Sequence, residues 1–349
     1  MTQLSTVILG ASGYTGAEAV RLIMAHPKLK LTALTANRHA GKSYAQVYPH
    51  MAHQGLPDLV KWQDVKWDGV DVVFACLPHG ASEDVIADIT CTRLVKGLTV
   101  IDLSADFRLK DADVYAQTYG RAHTSPKLLA GAVYGLTEYA RTDLKGASLV
   151  ACPGCYPTAS LLALLPALDL IDVDNIVIDA KSGVSGAGRK ESTAFMYPET
   201  AEGAHAYGVG THRHAPEIDE KLGAALGRDI TVSFTPHLLP MNRGMIATIN
   251  VGLNQGVSVA DLRAAFEARY KNEAFVHVEV QGVVPHTRHV RASNQCRIGI
   301  FPDRNPRRAV IISVIDNLTK GSSGQAVQNL NVVKGWDETL GLNMVPVFP

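Results

Sequence analysis

The sequence predicts an α/β protein, with a doubly wound parallel sheet followed by a second, α+β domain whose sheet is mixed or antiparallel. Three observations carry that expectation. Over roughly the first 150 residues, short β-branched runs alternate with helically periodic segments. A glycine-rich turn follows the first of those runs directly. Beyond residue 152 the strand-like runs lengthen and several succeed one another with little helix between them.

The first-half strands are expected at Thr6–Leu9, Leu31–Thr35, Val70–Phe74, Val100–Leu103 and Ser148–Ala151, with helices over Ala17–Ala25 and Ser82–Val95. Strand–helix–strand alternation of this kind builds parallel sheets, because a parallel neighbour needs a crossover. A helix is expected from Pro157 to Leu168. Strands then follow at Thr231–Thr235, Met245–Val251, Phe275–Val280, Gln295–Phe301 and Ala309–Ile315, with helices at Pro216–Leu226 and Val259–Tyr270. No Pro/Ser-rich linker divides the halves, so the boundary near residue 152 rests on the change of pattern alone.

With 349 residues the chain has room for about two domains of ~150 residues, each with its own core. A hydrophobic content of 46% with 19% charged residues argues against disorder and fibrous repeats. Basic and acidic residues number 33 each, and this lack of a basic excess disfavours nucleic acid as a partner. No apolar run approaches the ~20 residues of a membrane span, and the longest, Leu161–Leu165, is stopped by Pro166. Met1-Thr2-Gln3-Leu4-Ser5 carries no basic leader, so no signal peptide is expected. Five cysteines form no evident disulfide framework and suit a reducing compartment. A cytoplasmic protein is expected.

The turn after the first strand reads Gly10-Ala11-Ser12-Gly13-Tyr14-Thr15-Gly16. Glycines let the chain turn sharply into a helix and let a diphosphate approach the N–H groups at its start. The spacing is G-x-x-G-x-x-G rather than the commoner G-x-G-x-x-G, but its place between strand and helix is that of a Rossmann-type dinucleotide site. The second strand ends in Leu34-Thr35-Ala36-Asn37-Arg38, with no carboxylate to hold a ribose 2′-hydroxyl and one guanidinium to complement a 2′-phosphate. NADP(H) is therefore expected, with Thr35, Asn37 and Arg38 at the 2′-phosphate; the competing reading of Arg38 is a solvated loop residue.

Cys152-Pro153-Gly154-Cys155-Tyr156-Pro157-Thr158 stands between a strand and an apolar helix. Half a zinc site would need a second pair, and Cys76, Cys91 and Cys296 are solitary. A dithiol redox pair would need a thioredoxin-like setting. The third reading is a nucleophile at Cys155, where the positive end of a helix favours thiolate. An inert buried cysteine fits Cys76 within its strand better. Thr211-His212-Arg213-His214-Ala215-Pro216-Glu217 places two histidines before a helix that Pro216 can open. If extended, both rings face one side and Glu217 can orient one of them. A metal pair lacks a third ligand at a recognisable spacing, and solvated loop histidines are the bland alternative. Arg108, closing Asp102-Leu103-Ser104-Ala105-Asp106-Phe107-Arg108, and Arg243, in Pro240-Met241-Asn242-Arg243-Gly244, are candidate clamps for phosphate or carboxylate; each alone also reads as a surface ion-pair residue.

Assembled, these segments resemble the N-acetyl-γ-glutamyl-phosphate reductases of arginine biosynthesis, in the longer (type 1) subfamily. The resemblance spans nearly the whole chain and also rests on Lys181-Ser182-Gly183-Val184-Ser185-Gly186-Ala187-Gly188-Arg189 and Lys320-Gly321-Ser322-Ser323-Gly324-Gln325-Ala326. It implies NADPH-dependent conversion of N-acetyl-L-glutamyl 5-phosphate to N-acetyl-L-glutamate 5-semialdehyde through a Cys155 thioester, with release of inorganic phosphate. His212 would be the acid/base at the thiohemiacetal oxygen. Arg108, Ser182, Gly183, His214, Glu217 and Arg243 would serve the substrate. Ser185, Gly186, Asn317, Lys320 and Gly321 would join Gly10, Ser12, Gly13, Tyr14, Thr15 and Gly16 at the cofactor. A helix from Asn317 to Asn329 would return to the cofactor domain, giving residues 1–151 and 317–349 to that domain and 152–316 to a catalytic and oligomerising one. A homo-oligomer, dimer or tetramer, is implied.

Three alternatives remain at this stage. Aspartate-semialdehyde dehydrogenase shares the expected fold but has a different cysteine motif and lacks the His-Arg-His-x-Pro-Glu segment. A reductase of a carrier-protein-bound aminoadipyl or glutamyl phosphate would use the same chemistry and favour a basic docking surface, which the balanced charge does not suggest. A non-catalytic NADP-binding regulator would need neither Cys155 nor His212.

Overall fold

The computed structural model describes residues 3–93, 95, 97–189 and 191–348. Met1 and Thr2 of the expected leaderless start, Leu94 of the expected helix and Pro349 of the expected cofactor domain lie outside the described residues. Two compact units emerge: Met1–Pro153 with Ser322–Asn343, and Gly154–Gly321 with Met344–Pro349.

The first unit bears out the doubly wound parallel sheet. Its strands are β1 (Leu4–Leu9), β2 (Leu29–Thr35), β3 (Leu59–Val60), β4 (Val72–Ala75), β5 (Thr99–Asp102), β6 (Val133–Tyr134) and β7 (Leu149–Ala151). They lie in the order β3-β2-β1-β4-β5-β7-β6, every neighbouring pair parallel. Val7, Ile8, Leu9, Val73, Phe74, Val100, Ile101 and Val150 are completely buried, as strands covered on both faces require. The helices are α1 (Tyr14–Met24), α2 (Tyr44–Val47), α3 (Ser82–Ala87), α4 (Ala112–Tyr119), α5 (Pro126–Gly131) and α6 (Thr137–Leu144). The expected helix from Ser82 is shorter than its pattern suggests, because the ladder widens into a π turn over Asp88–Thr92.

The second unit contains a mixed sheet, as expected. It comprises β8 (Ile171–Gly183), β9 (His205–Ala206), β10 (Ser233–Leu239), β11 (Met245–Leu253), β12 (Val276–Val278), β13 (Cys296–Pro302) and β14 (Arg308–Ile315), in the order β12-β13-β14-β11-β8-β10-β9. The β8–β10 and β12–β13 pairs are parallel and the others antiparallel. Its helices are α7 (Cys155–Leu164), α8 (Tyr197–Thr200), α9 (His214–Leu226) and α10 (Val259–Tyr270). Tyr156 through Leu164 are all buried, so α7 is a core helix surrounded on every side rather than an amphipathic one. Ser258 caps α10 reciprocally with Asp261.

The last helix, α11 (Gly324–Val333), belongs to the first unit. It begins later than the expected Asn317, because Asp316 accepts the N–H groups of Leu318 and Thr319 and a π turn over Thr319–Ser323 intervenes. A buried amide network fixes it. Asn329 donates to the Gly135 carbonyl at 2.8 Å and accepts from the Thr137 hydroxyl at 2.6 Å. Gln325 donates to the same carbonyl at 3.1 Å and to the same hydroxyl at 2.7 Å. A Cβ at Gly135 would lie 2.3 Å from the Asn329 amide nitrogen, so only glycine admits this approach. Among the described residues no helix is long and apolar enough to cross a membrane.

Because Asn329→Ala strands buried partners, it should lower the unfolding free energy by about 2–4 kcal/mol in urea titrations. A loss below about 0.5 kcal/mol, the range of inert surface changes, would show that the network does not hold the helix.

Candidate active site

The cofactor half of the expected site is built in the first unit. Gly10 has φ +74°, and a Cβ there would lie 2.3 Å from the Cys76 carbonyl oxygen. A Cβ on Gly16 would lie 2.4 Å from the Gly10 carbonyl oxygen, so this glycine lets α1 pack on the turn. Gly13 differs. Its φ is −83° and an added Cβ would meet nothing closer than 3.6 Å. The fold therefore does not demand that glycine, whereas close approach of a diphosphate does. No side chain caps α1, which leaves its start to an anion. The donor chemistry and the open flank fit a dinucleotide diphosphate.

Thr35 is buried, and its hydroxyl accepts the Gly10 N–H at 3.2 Å while its carbonyl accepts Ala11 N–H at 2.8 Å. It holds the turn from behind, whereas Asn37 and Arg38 are exposed at the strand end. The Thr15 carbonyl accepts the Ser323 hydroxyl at 2.8 Å, and Ser12 and Tyr14 flank the turn. Sequence reasoning passed over Tyr44 and Tyr48. Their hydroxyls donate to the carbonyls of Ala11 at 3.2 Å, and of Ser12 and Gly13 at 3.0 and 3.1 Å.

Arg108, at 5% exposure, lies in the loop after β5 and donates to the Leu103 carbonyl at 3.0 Å. That loop is held by two buried carboxylates. Asp102 accepts from Ser82 and Ser104, and burial raises its carboxyl to about 6 against the pull of those hydroxyls. Asp106 accepts the N–H groups of Gly80 and Glu83 and the Tyr115 hydroxyl.

The nucleophile half lies in the second unit. Gly154, extended at ψ 158°, caps α7, and Cys155 is the first helical residue and half-buried. Glu217, in the first turn of α9 and 1% exposed, accepts the Gly154 N–H at 2.9 Å. It thus positions the backbone that presents Cys155. A Cβ on Gly321 would lie 2.7 Å from the Cys155 Cβ, so glycine there makes room for the cysteine itself. Cys152 stands in the first unit, buried, its thiol pushed up to about 12 by burial.

The two histidines come together differently from the extended arrangement expected. The helix begins at His214, two residues before Pro216, and Arg213 is already in the α region. A local turn therefore brings the rings to 4.9 Å, with His212 Nδ1 accepting the His214 N–H at 3.1 Å. A ring that accepts at Nδ1 carries its proton on Nε2 when neutral. Tyr156, Tyr207 and Phe234 pack around His212 at 5.4–5.6 Å. Burial, assisted by the Arg213 charge, lowers its pKa to about 4. The neutral imidazole is thus the resting form at pH 7. Tyr156 donates to the His237 carbonyl at 3.2 Å and meets the Tyr207 hydroxyl at 3.1 Å, while burial raises Tyr207 to about 12.

Arg243 faces the fully buried Asp316 at 3.3 Å, and Asp316 also accepts the N–H of Ala292, whose φ is +58°. Ser182 turns its hydroxyl to the Gly183 carbonyl at 3.0 Å, and a Cβ on Gly183 would lie 2.7 Å from the Met241 carbonyl oxygen. Asn317 accepts Gly244 N–H at 2.8 Å and donates to Ser185 at 2.9 Å; Gly186 sits in the adjoining 3₁₀ turn. Lys320 is fully buried with its ammonium 5.9 Å above the Phe275 ring.

Residues 5–147 match the NAD binding domain of semialdehyde dehydrogenase, and 155–317 its dimerisation domain. The Vibrio cholerae aspartate semialdehyde dehydrogenase II has the same fold at a TM-score of 0.72 and 16% identity, over 96% of this chain and 99% of that one. Much nearer relatives exist. The N-acetyl-gamma-glutamyl-phosphate reductase of Rhodospirillum rubrum is 52% identical over 99% of both chains. The Arabidopsis thaliana protein named probable N-acetyl-gamma-glutamyl-phosphate reductase, chloroplastic, is 52% identical over 98% of this chain and 84% of its own. At that identity over nearly the full length, on the same fold, the chain belongs to the N-acetyl-gamma-glutamyl-phosphate reductase family.

Proposed function

We propose that this chain reduces N-acetyl-L-glutamyl 5-phosphate to N-acetyl-L-glutamate 5-semialdehyde with NADPH, a step of arginine biosynthesis. The observation that carries the reading is the Cys155 site, a half-buried thiol at the first position of a core helix whose cap is anchored by Glu217. The start of the helix favours thiolate. Cys155 attacks the acyl carbonyl; a C–S bond forms, the C–O bond to phosphate breaks, and inorganic phosphate leaves. When bound, NADPH supplies the hydride that reduces the thioester carbonyl. His212, neutral with its proton on Nε2, donates to the oxygen on which charge develops, and His214 steadies it through its own N–H. C–S cleavage then releases the aldehyde and restores the thiol.

Arg108 takes the phosphate in this reading, and Arg243, steadied by Asp316, takes a substrate carboxylate. Gly13, Ser12, Tyr14 and Thr15 hold the diphosphate, and Arg38 with Asn37 the 2′-phosphate. Ser185, Gly186, Asn317, Lys320 and Gly321 serve the cofactor in this reading. The first unit is the cofactor domain and the second the catalytic and oligomerising one. The dimerisation-domain match supports a homo-oligomer, dimer or tetramer. The low cysteine count supports a reducing, cytoplasmic setting.

The direct test is the reverse assay, phosphate-dependent reduction of NADP⁺ by N-acetylglutamate semialdehyde, followed at the nicotinamide absorbance. Cys155→Ser should abolish it with NADPH binding intact, and Cys152→Ser should be far milder. Equal losses would point to a dithiol mechanism, and an inactive wild type would sink the reading. His212→Asn should slow turnover by roughly 10²–10⁴-fold. Because burial disfavours the cation, the His212 ring should titrate near 4 by NMR rather than at 6.5; a midpoint at 6.5 would remove the neutral-donor role. Removing the guanidinium in Arg38→Ala should erase a roughly 10- to 100-fold preference for NADP(H) while sparing NAD(H). Undiminished selectivity, read as kcat/KM for both cofactors, would move the 2′-phosphate elsewhere.

A further inference from the structure

We infer that Tyr44 and Tyr48 are positioning residues for the cofactor diphosphate, acting through the carbonyl side of the glycine turn; the inference rests on the dinucleotide reading above. The segment after β2 runs through Arg38 and turns back as α2, which brings both phenols to the turn. Tyr44 is 2% exposed and donates to the Ala11 carbonyl at 3.2 Å. Tyr48, half-buried, shares its hydroxyl proton between the carbonyls of Ser12 at 3.0 Å and Gly13 at 3.1 Å. The rings pack on each other at 5.3 Å, so the two hydroxyls act as one unit.

The consequence follows from peptide geometry. In a planar trans peptide the N–H points opposite to the preceding carbonyl. With the carbonyls of Ala11 and Gly13 drawn to the phenols, the N–H groups of Ser12 and Tyr14 are turned away from them. Thr35 meanwhile holds Gly10 N–H and Ala11 N–H, so neither amide can swing the turn over. Three successive carbonyl oxygens would otherwise present partial negative charge to an anion. Donation from two phenols both neutralises these oxygens and fixes which edge of the loop is the donor edge. The Gly13 carbonyl also accepts the helical Ala17 N–H at 2.9 Å. A turn held only by its glycines would sample other peptide orientations, at an entropic cost to binding.

The test is Tyr48→Phe, Tyr44→Phe and the double variant, which keep the rings and remove the donors. NADPH and NADH affinities are titrated by fluorescence well below the melting transition. Each single change should weaken both cofactors by the same factor, roughly 3- to 10-fold, the scale of one hydrogen bond. The NADP(H) preference and kcat at saturating cofactor should stay unchanged, a pattern that neither general destabilisation nor loss of 2′-phosphate contacts produces. Wild-type binding with unaltered affinities in all three variants would overturn the inference alone. Weakening confined to NADPH would also overturn it, assigning the phenols to the 2′-phosphate. A wild type that binds neither dinucleotide would overturn the underlying reading along with it.

Discussion

Parallel pairing is the constraint on which the first unit depends. Strands that run the same way must each be followed by a crossover, so the segments leaving them collect along one edge of the sheet. That edge receives the glycine turn from β1, Asn37 and Arg38 from β2, the Gly80 turn from β4, and Arg108 from β5. The strand order reverses between β1 and β4, where the first and fourth strands send their connections to opposite sides. Residues scattered through a hundred positions of sequence therefore share a neighbourhood without any long-range sequence signal.

A second regularity concerns how loops are kept rigid. Buried carboxylates accept backbone N–H groups at turns, among them Asp106 from Gly80 and Glu83, Glu217 from Gly154, and Asp316 from Ala292, Leu318 and Thr319. An ionised carboxylate accepts several charge-assisted bonds from one place, which suits it to irregular backbone that no ladder can satisfy. The same economy explains the neutral His212. An imidazole enclosed by Tyr156, Tyr207 and Phe234 loses its charge to burial and keeps one N–H donor without a permanent cation.

Local signals were legible and distant ones were not. The five main strands of the first sheet, the bounds of α10 and the glycine turn follow from contiguous pattern, and family membership from segments dispersed over the chain. The longest strand, β8, was missed because Asp172, Asp174, Asn175, Asp179 and Lys181 interrupt its apolar residues on the outer face. Two-residue strands such as β3 and β6 have too little pattern to detect. The sequence pattern starts this helix at Pro216, but proline is equally tolerated later in the opening turn, before intrahelical N–H groups are needed, so α9 begins at His214 and the histidine pair lies in a turn. Tyr44 and Tyr48 carried no sequence signal as partners of the glycine turn, since their contact depends on the return of the chain through α2.

The buried amides of α11 also bear on how the protein is made. The first unit consists of Met1–Pro153 and Ser322–Asn343, so its last helix is synthesised after all the strands of the second sheet. Until then Gly135 and Thr137 lack the Asn329 and Gln325 amides, and His26 lacks its 3.0 Å contact with Asn331. On the ribosome, where domains fold from the N-terminal end, the unit begun first waits for its last helix until after every strand of the second sheet has been made. The nascent nucleotide sheet waits, incompletely covered, while the other unit has every strand it needs. A chain cut short by a few turns at its far end is therefore damaged in its opening domain.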